Sequence, residues 1–205
     1  MLISELFRQG YIVYWNRPVD RDYSVAVAVK WPRHKHMKWV KHEGHTRYQV
    51  VRFLLGNQEF VLLGIYFPAL NIKNLVRRRQ QAAIIDSFIR HAHEGGDRCI
   101  LLGGDINEVP PWHAPKIFDY TVEGFPIHTL VENAGLIDLA DEFLPENSFS
   151  WFDCEGNGQL LDGMFISARY KHWIERYSLL SDVFDMGLSD HLGLAVRLSF
   201  KRAQY

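Results

Sequence analysis

The sequence predicts an α/β (α+β) fold in which two packed, mostly antiparallel β-sheets are flanked by helices. Three observations lead there. Apolar runs rich in Val, Ile and aromatic residues recur along the chain, either with period 2 or as short continuous stretches, as half-buried and fully buried strands do. Gly56-Asn57 separates two of these runs, and both residues tolerate the positive φ of a tight hairpin turn, so that pair is antiparallel. Helix-period segments are few and do not alternate with every strand, which disfavours a doubly wound parallel sheet.

Taken in order, strands are expected at Tyr11–Trp15, Ser24–Val29, Tyr48–Leu55 and Phe60–Phe67. From Leu75 to His93 the period changes: Ala82, Ile85, Ile89 and Ala92 share one helical face, Asn74 stands where a cap belongs, and Gly95-Gly96 ends the segment. Cys99–Leu102 is a short apolar strand that runs into Gly103-Gly104. A second helix is expected over Ile127–Ala134, and further strands at Ser148–Phe152, Leu160–Ile166, Trp173–Leu180 and Gly193–Phe200.

At 205 residues and 47% hydrophobic content, the chain can bury one good core, so one domain spanning residues 1–205 is expected. The formal net charge of −1 provides no global attraction to nucleic acid or anionic membrane, and any polyanion binding must come from a local patch. Cys99 and Cys154 form neither a disulfide framework nor a metal-ligand spacing, which points to a reducing, intracellular compartment without separating nucleus from cytoplasm. The Phe60–Phe67 run is far shorter than the roughly 20 residues of a membrane span, and no secretory leader opens the chain.

Three constellations carry chemistry. Leu101-Leu102-Gly103-Gly104-Asp105-Ile106-Asn107 is an apolar strand ending in small residues, then a carboxylate and an amide at i, i+2, which project to the same side of an extended chain. The same Gly, Asp and Asn also suit a plain turn. In Leu160-Leu161-Asp162-Gly163-Met164-Phe165-Ile166 one acid interrupts an apolar strand. A buried carboxylate requires a partner such as a histidine or a metal, unless Asp162-Gly163 marks a bulge. Ser189-Asp190-His191 precedes the last strand; alone it reads as a polar loop as readily as a site.

Taken together, Gly-Gly-Asp105-Ile-Asn107, Ser150-Trp151 followed by Leu-Asp162 in a strand, and Ser189-Asp190-His191 near the C-terminus resemble the endonuclease/exonuclease/phosphatase superfamily. Exonuclease III-like abasic-site endonucleases and the endonucleases of non-LTR retroelements are among its members. Gly64-Ile65-Tyr66-Phe67-Pro68, ahead of the long helix, looks like the family's Tyr-x-Pro segment. The resemblance implies a four-layer sandwich and a Mg²⁺-dependent (or Mn²⁺-dependent) phosphodiester hydrolase with nucleic acid, DNA foremost, as substrate. By resemblance, Asp105 orients or deprotonates the attacking water, Asn107 donates to a phosphate oxygen, and His191 contacts the phosphate with its ring held by Asp162. Asp190 and Asp105 are the metal candidates, since Mg²⁺ prefers oxygen ligands. Tyr66 would help position the phosphate, although an aromatic in an apolar strand is also a core residue. A phosphatase or phosphodiesterase of the same superfamily is the nearest alternative.

Departures accompany the match. Where the family reads Arg-x-Asp-Tyr around the strand acid, this chain has Leu160 and Gly163 as the flanks. After Tyr-x-Pro, Ala69 replaces the usual Asn, with Asn71 two residues later as the substitute substrate contact. The family's first two strands, ending in Asn-x-Asn and in Gln-Glu, have no counterpart, and that Glu is the principal Mg²⁺ ligand. A truncated gene model, a decayed and inactive copy, or a chain completed by another polypeptide would each account for this, and whether the chain is an active enzyme stays open.

Weaker signals remain. Lys30 to Arg47 carries six Lys/Arg, four His and two Trp against one acid, Glu43, and reads as a phosphate-contacting loop or a solvated hairpin loop. Arg77-Arg78-Arg79 opens the long helix, where Arg77 is a candidate backbone contact and an exposed helix face is the plainer reading. Trp112 and Trp151 are candidates to line a substrate cleft or simply to pack.

Overall fold

The computed structural model describes residues 2–16, 24–30, 37–55, 57–69, 72–94, 96–114 and 127–199. Helix α1 (Leu2–Arg8) leads into strands β1 (Tyr11–Trp15) and β2 (Ala26–Lys30), which pair antiparallel as a two-stranded ribbon. Strands β3 (Met37–His45), β4 (Tyr48–Leu55) and β5 (Gln58–Tyr66) form an antiparallel meander, and the pairing of Leu55 with Gln58 agrees with the hairpin expected there. Helix α2 (Leu75–Glu94) then crosses over to β6 (Arg98–Asp105), which runs parallel to β5. The remainder comprises α3 (Ile127–Asn133), β7 (Leu136–Asp138), α4 (Leu139–Phe143), the short hairpin β8 (Trp151–Phe152) and β9 (Gly158–Gln159), β10 (Asp162–Ser167), β11 (Ile174–Leu180), α5 (Asp182–Asp185) and β12 (Gly193–Leu198).

The main sheet has six strands in the order β3-β4-β5-β6-β10-β7, and β11 pairs with β12 as a second ribbon. Alternation along the central strands explains the layering. Val61, Leu63 and Ile65 of β5, Ile100 and Leu102 of β6, and Phe165 of β10 join Ala82, Ile85 and Ile89 of α2 and Val131 of α3 in one core. The opposite faces, with Phe60, Cys99 and Ile166, pack against Tyr177, Leu194 and Val196 of the β11–β12 ribbon. The first ribbon covers the same face farther along, where the valines of residues 25 and 27 approach Gly64 so closely that a Cβ would sit 3.0 Å from Val25 Cγ1. The result is helices, six-stranded sheet, then a second β layer made, among the described residues, of two separate ribbons rather than one continuous sheet. No helix among the described residues is long and apolar enough to cross a membrane.

The stretch 30–47 needs correction as a loop: residues 37–45 form a strand that pairs along β4 with a bulge between Trp39 and Lys41. Among the described residues it stands at the edge of the sheet, paired with β4 alone, a position where charged side chains are common. Trp31, His34 and His36 lie outside the described residues.

Gly104 is where backbone geometry is strictest. Its φ is +148°, and a Cβ there would lie 1.9 Å from the Ile65 carbonyl oxygen on the adjoining strand. Neither rotamer choice nor side-chain movement relieves a clash with backbone, so Gly104→Ala is expected to destabilise the chain by about 3 kcal/mol or more. Urea unfolding measures this, and an unchanged midpoint would show that β5 and β6 approach less closely than described.

Candidate active site

The candidate residues meet because three adjacent strands end at one level. In the parallel β5–β6 ladder Tyr66 lies beside Asp105, and in the antiparallel β6–β10 ladder Asp162 lies directly opposite Asp105. Beyond Asp105 the chain turns: the Ile106 and Asn107 amides both donate to the Leu161 carbonyl, at 2.9 and 3.1 Å, and Asn107 takes a positive φ of 51°. Asparagine is among the few side chains that accept this backbone. Its own amide N–H donates to Asp105 Oδ1 at 2.9 Å, while Nδ2 donates to Asp105 Oδ2 at 2.8 Å and to the Phe67 carbonyl at 2.9 Å. Asn107 thus clamps the carboxylate, and donating to a phosphate would require one of these bonds to open.

His191 arrives from the other direction. It forms an isolated antiparallel bridge with Trp151, and the Leu192 amide donates to the Ser150 carbonyl at 2.7 Å. Its Nδ1–H donates to Asp162 Oδ2 at 2.7 Å, and the same oxygen accepts from Ser150 Oγ at 2.7 Å. Ser150 is fully buried, and its hydroxyl oxygen in turn accepts the Leu161 and Asp162 amides, each at 3.0 Å. With Nδ1 committed, Nε2 is the ring nitrogen left to serve a ligand. Asp190, exposed, accepts from Trp151 Nε1 at 3.0 Å.

Two carboxylates placed opposite one another repel, and the site answers that repulsion with protons. Burial first, and then the charge of Asp162, raise Asp105 to about 7, against the lowering pull of His191, the Asn107 N–H and Arg78. Burial lowers His191, but the hydrogen bond and charge of Asp162, with Asp105 and Asp190 behind them, leave its pKa raised. A carboxyl that titrates near neutrality beside an imidazole that favours its charged form gives one proton acceptor and one cationic donor at the same rim.

No family profile matches the chain, and no curated protein matches it in sequence. Solved structures do. An AP endonuclease from Archaeoglobus fulgidus superposes with a TM-score of 0.74 at 14% identity, covering 96% of this chain and 82% of the other. A Neisseria 3′ phosphatase, NExo, bound to a product DNA hairpin, gives 0.69 at 16% identity, covering 96% and 82%. The endonuclease domain of TRAS1, a telomere-specific non-LTR retrotransposon, gives 0.68 at 17%, covering 94% and 82%. The chain has the endonuclease/exonuclease/phosphatase fold.

Within this endonuclease/exonuclease/phosphatase fold the structure brings Tyr66, Asp105, Asn107, Asp162 and His191 to one rim, with Asp190 joined to it through Trp151. Trp151 therefore holds an acid in place through its indole N–H. Tyr66 lies under the Arg47 guanidinium, 5.0 Å from ring centroid to Cζ. Asn71 falls outside the described residues. Arg77 is exposed on α2, whereas Arg78 is completely buried, so the triplet is not uniformly an exposed helix face. Helical spacing carried that signal: Arg78 stands on the same face as Ala82, Ile85 and Ile89. In the sequence Ser150 carries a signal only as part of the Ser150-Trp151 motif; that its hydroxyl bonds Asp162 is seen first in the structure.

For a Mg²⁺ or Mn²⁺ ion the donor chemistry fits. Asp105 and Asp190 are hard oxygen donors, and the Asp105–Asp162 opposition is a concentration of negative charge that a cation relieves. Among the described residues no group of three or more His, Cys, Asp or Glu stands close enough to enclose an ion. Mg²⁺ does not require one, since one or two carboxylates, substrate phosphate and several waters usually complete its shell.

Proposed function

We propose that the chain is a divalent-metal-dependent phosphodiester hydrolase that acts on DNA as an endonuclease of the abasic-site or retroelement type. The observation carrying this is the single rim on which two hydrogen-bonded pairs, Asn107–Asp105 and His191–Asp162, meet with Asp105 and Asp162 opposite one another in the strand register. Asp105, ionised, accepts the proton of the attacking water; its pKa of about 7 places that step near neutral pH. Asn107 fixes the carboxylate so that the water is approached from one direction. His191, held in one tautomer and charged by Asp162, donates to a phosphoryl oxygen and stabilises the charge that grows there. Mg²⁺ or Mn²⁺, when bound near Asp105 and Asp190, supplies further charge neutralisation of the phosphate.

On this reading the site takes one more carboxylate, from sequence preceding residue 1 or from a partner polypeptide, as the family resemblance implies. An N-terminally extended chain that outpaces the 205-residue chain is then the expected result. The same rim also suits a phosphomonoester, and NExo is a 3′ phosphatase. Nicking of supercoiled plasmid with Mg²⁺ or Mn²⁺, abolished by EDTA, is the test. Release of phosphate from 3′-phosphorylated oligonucleotides or small phosphoesters without nicking moves the assignment to a phosphatase. Inactivity of both the extended and the 205-residue chains on every substrate overturns it in favour of an inactive form of the fold.

A further inference from the structure

We infer that Arg78 is a positioning residue, whose guanidinium ties together the two turns that present Tyr66, Asp105 and Asn107 and so sets the geometry of the site. The inference rests on the hydrolytic reading above. Arg78 is the largest fully buried side chain among the described residues, and it belongs to the helix that joins β5 to β6. That helix reaches back over the ends of the two strands it connects. Nη1 donates to the Pro68 carbonyl at 2.7 Å, just past the end of β5, and to the Ile106 carbonyl at 3.1 Å, just past the end of β6. A longer contact of 3.4 Å reaches the Asn107 carbonyl. Nη2 donates to Glu108 Oε2 at 3.1 Å, and Cζ stands 5.4 Å from the Phe67 ring centroid.

Each partner belongs to a segment that places a site residue. Phe67 supplies the carbonyl that Asn107 Nδ2 holds, and its amide donates to the Asp105 carbonyl at 2.9 Å. Glu108 passes the linkage onward, accepting the Ile127 and His128 amides at 3.0 and 3.4 Å, the otherwise unpartnered first-turn donors of α3. A buried cation is costly to leave unpaired, so the guanidinium stays only where all of these acceptors converge. Its planar fork reaches separate acceptors at fixed angles, which a lysine ammonium, a point charge on a flexible stem, does not reproduce. Asn107 holds its positive φ between this cation on its carbonyl side and Asp105 on its amide side.

An arginine that merely supports the core and one that sets the site differ in what else moves. The comparison is Arg78→Lys against a variant of Ile89, a core residue of the same helix, chosen as Ile89→Val or Ile89→Ala to match its loss of Tm. Both are made in the 205-residue chain and read by amide hydrogen exchange at Phe67, Ile106 and Asn107 and by steady-state kinetics on plasmid DNA. Arg78→Lys is expected to speed exchange at those three amides by about tenfold beyond the Ile89 variant. It should lower kcat by about 100-fold while KM stays within about threefold, because misplacement of reacting groups shows in kcat. Equal exchange in the two variants, or a kcat for Arg78→Lys equal to that of the Ile89 variant, overturns the inference. Should Arg78→Lys fail to fold, Glu108→Gln keeps the shape and one acceptor, and a rise in exchange at the same amides is expected of it; no rise counts against the inference. If the unaltered 205-residue chain hydrolyses nothing, the kinetic comparison is made in the N-terminally extended chain; inactivity of both chains fails the hydrolytic reading instead, and the exchange comparison alone then decides whether Arg78 fixes the two turns.

Discussion

Asp162→Asn is expected to lower kcat by about 10²–10³ while leaving the fold intact, because it removes a charge and retains a shape. One oxygen of Asp162 does all of the visible work: Oδ2 accepts both from His191 Nδ1 and from Ser150 Oγ, each at 2.7 Å. An asparagine that places its carbonyl oxygen there keeps both bonds, so the imidazole stays oriented and the Ser150 hydroxyl stays partnered. What disappears is the negative charge that raises His191 against the lowering effect of burial. The imidazole then gives up its proton at a lower pH, and the neutral ring, with its remaining proton on Nδ1, has no N–H at Nε2 to offer the phosphate. The measurement is a proton NMR titration of the His191 ring, which should show a lowered pKa, beside the kinetic loss. An unmoved histidine pKa would mean that Asp105 and Asp190, rather than Asp162, supply the stabilising charge. Asp162→Ala makes the contrast sharper, since it also orphans the buried Ser150 hydroxyl and should cost stability as well as rate.

The residues legible in the sequence are those whose chemistry violates their local pattern. Asp162 interrupts an apolar strand, and an acid in that position is tolerable only with a partner, which the structure supplies as His191 and Ser150. Asp105 and Asn107 stand out because an apolar strand ends in small residues and then a carboxylate and an amide, but extended i, i+2 spacing is not what brings them together: the chain turns after Asp105, Asn107 takes a φ of 51°, and its side chain bends back to bond Asp105. The layered fold was legible from the same periodicity, down to the β4–β5 hairpin and the helix after it, but the parallel β5–β6 pairing that α2 makes by crossing over was not. Positions where tertiary context overrides local character were not. Strand β3 is basic, as is common for a strand that, like this one among the described residues, stands at the sheet's edge, so its sequence resembles a loop. Strand β7 has three residues and α4 has five, too short for any period to declare itself. Arg78 was hidden by its charge: beside Arg77 and Arg79 it reads as one of three solvated cations. Only a count along the helix shows that it shares a face with Ala82, Ile85 and Ile89, and only the carbonyls gathered around it explain how that face tolerates it.

Asp105→Asn separates function from stability most clearly, and the sign follows from linkage. In the folded chain burial and the neighbouring Asp162 raise the Asp105 carboxyl from 3.8 to about 7. Between those values the folded state holds a proton that the unfolded state has released. The contribution of Asp105 to stability is therefore full below pH 3.8 and is lost as pH rises through about 7. His191, also raised, loses its contribution in the same direction. Asparagine is the uncharged counterpart of the protonated acid; its one carbonyl oxygen accepts from one of the two Asn107 donors, N or Nδ2, and its NH₂ faces the other, a cost that does not vary with pH. Thermal melts in EDTA should accordingly show the variant gaining on the unaltered chain as pH rises from 5 to 8, a range in which the unfolded chain has released the Asp105 proton and the folded chain has yet to do so fully. At pH 8 the variant should be relatively more stable, by on the order of 2 kcal/mol after discounting the carboxyl's partial exposure. Activity moves the opposite way, falling by about 10³ or more, since the amide cannot accept the water's proton. Equal pH dependence of the two melting curves would show that Asp105 titrates like an ordinary surface acid. A variant that gains stability where it loses turnover would place Asp105 among residues held ionised at a cost to the fold, as a general base facing a second carboxylate must be.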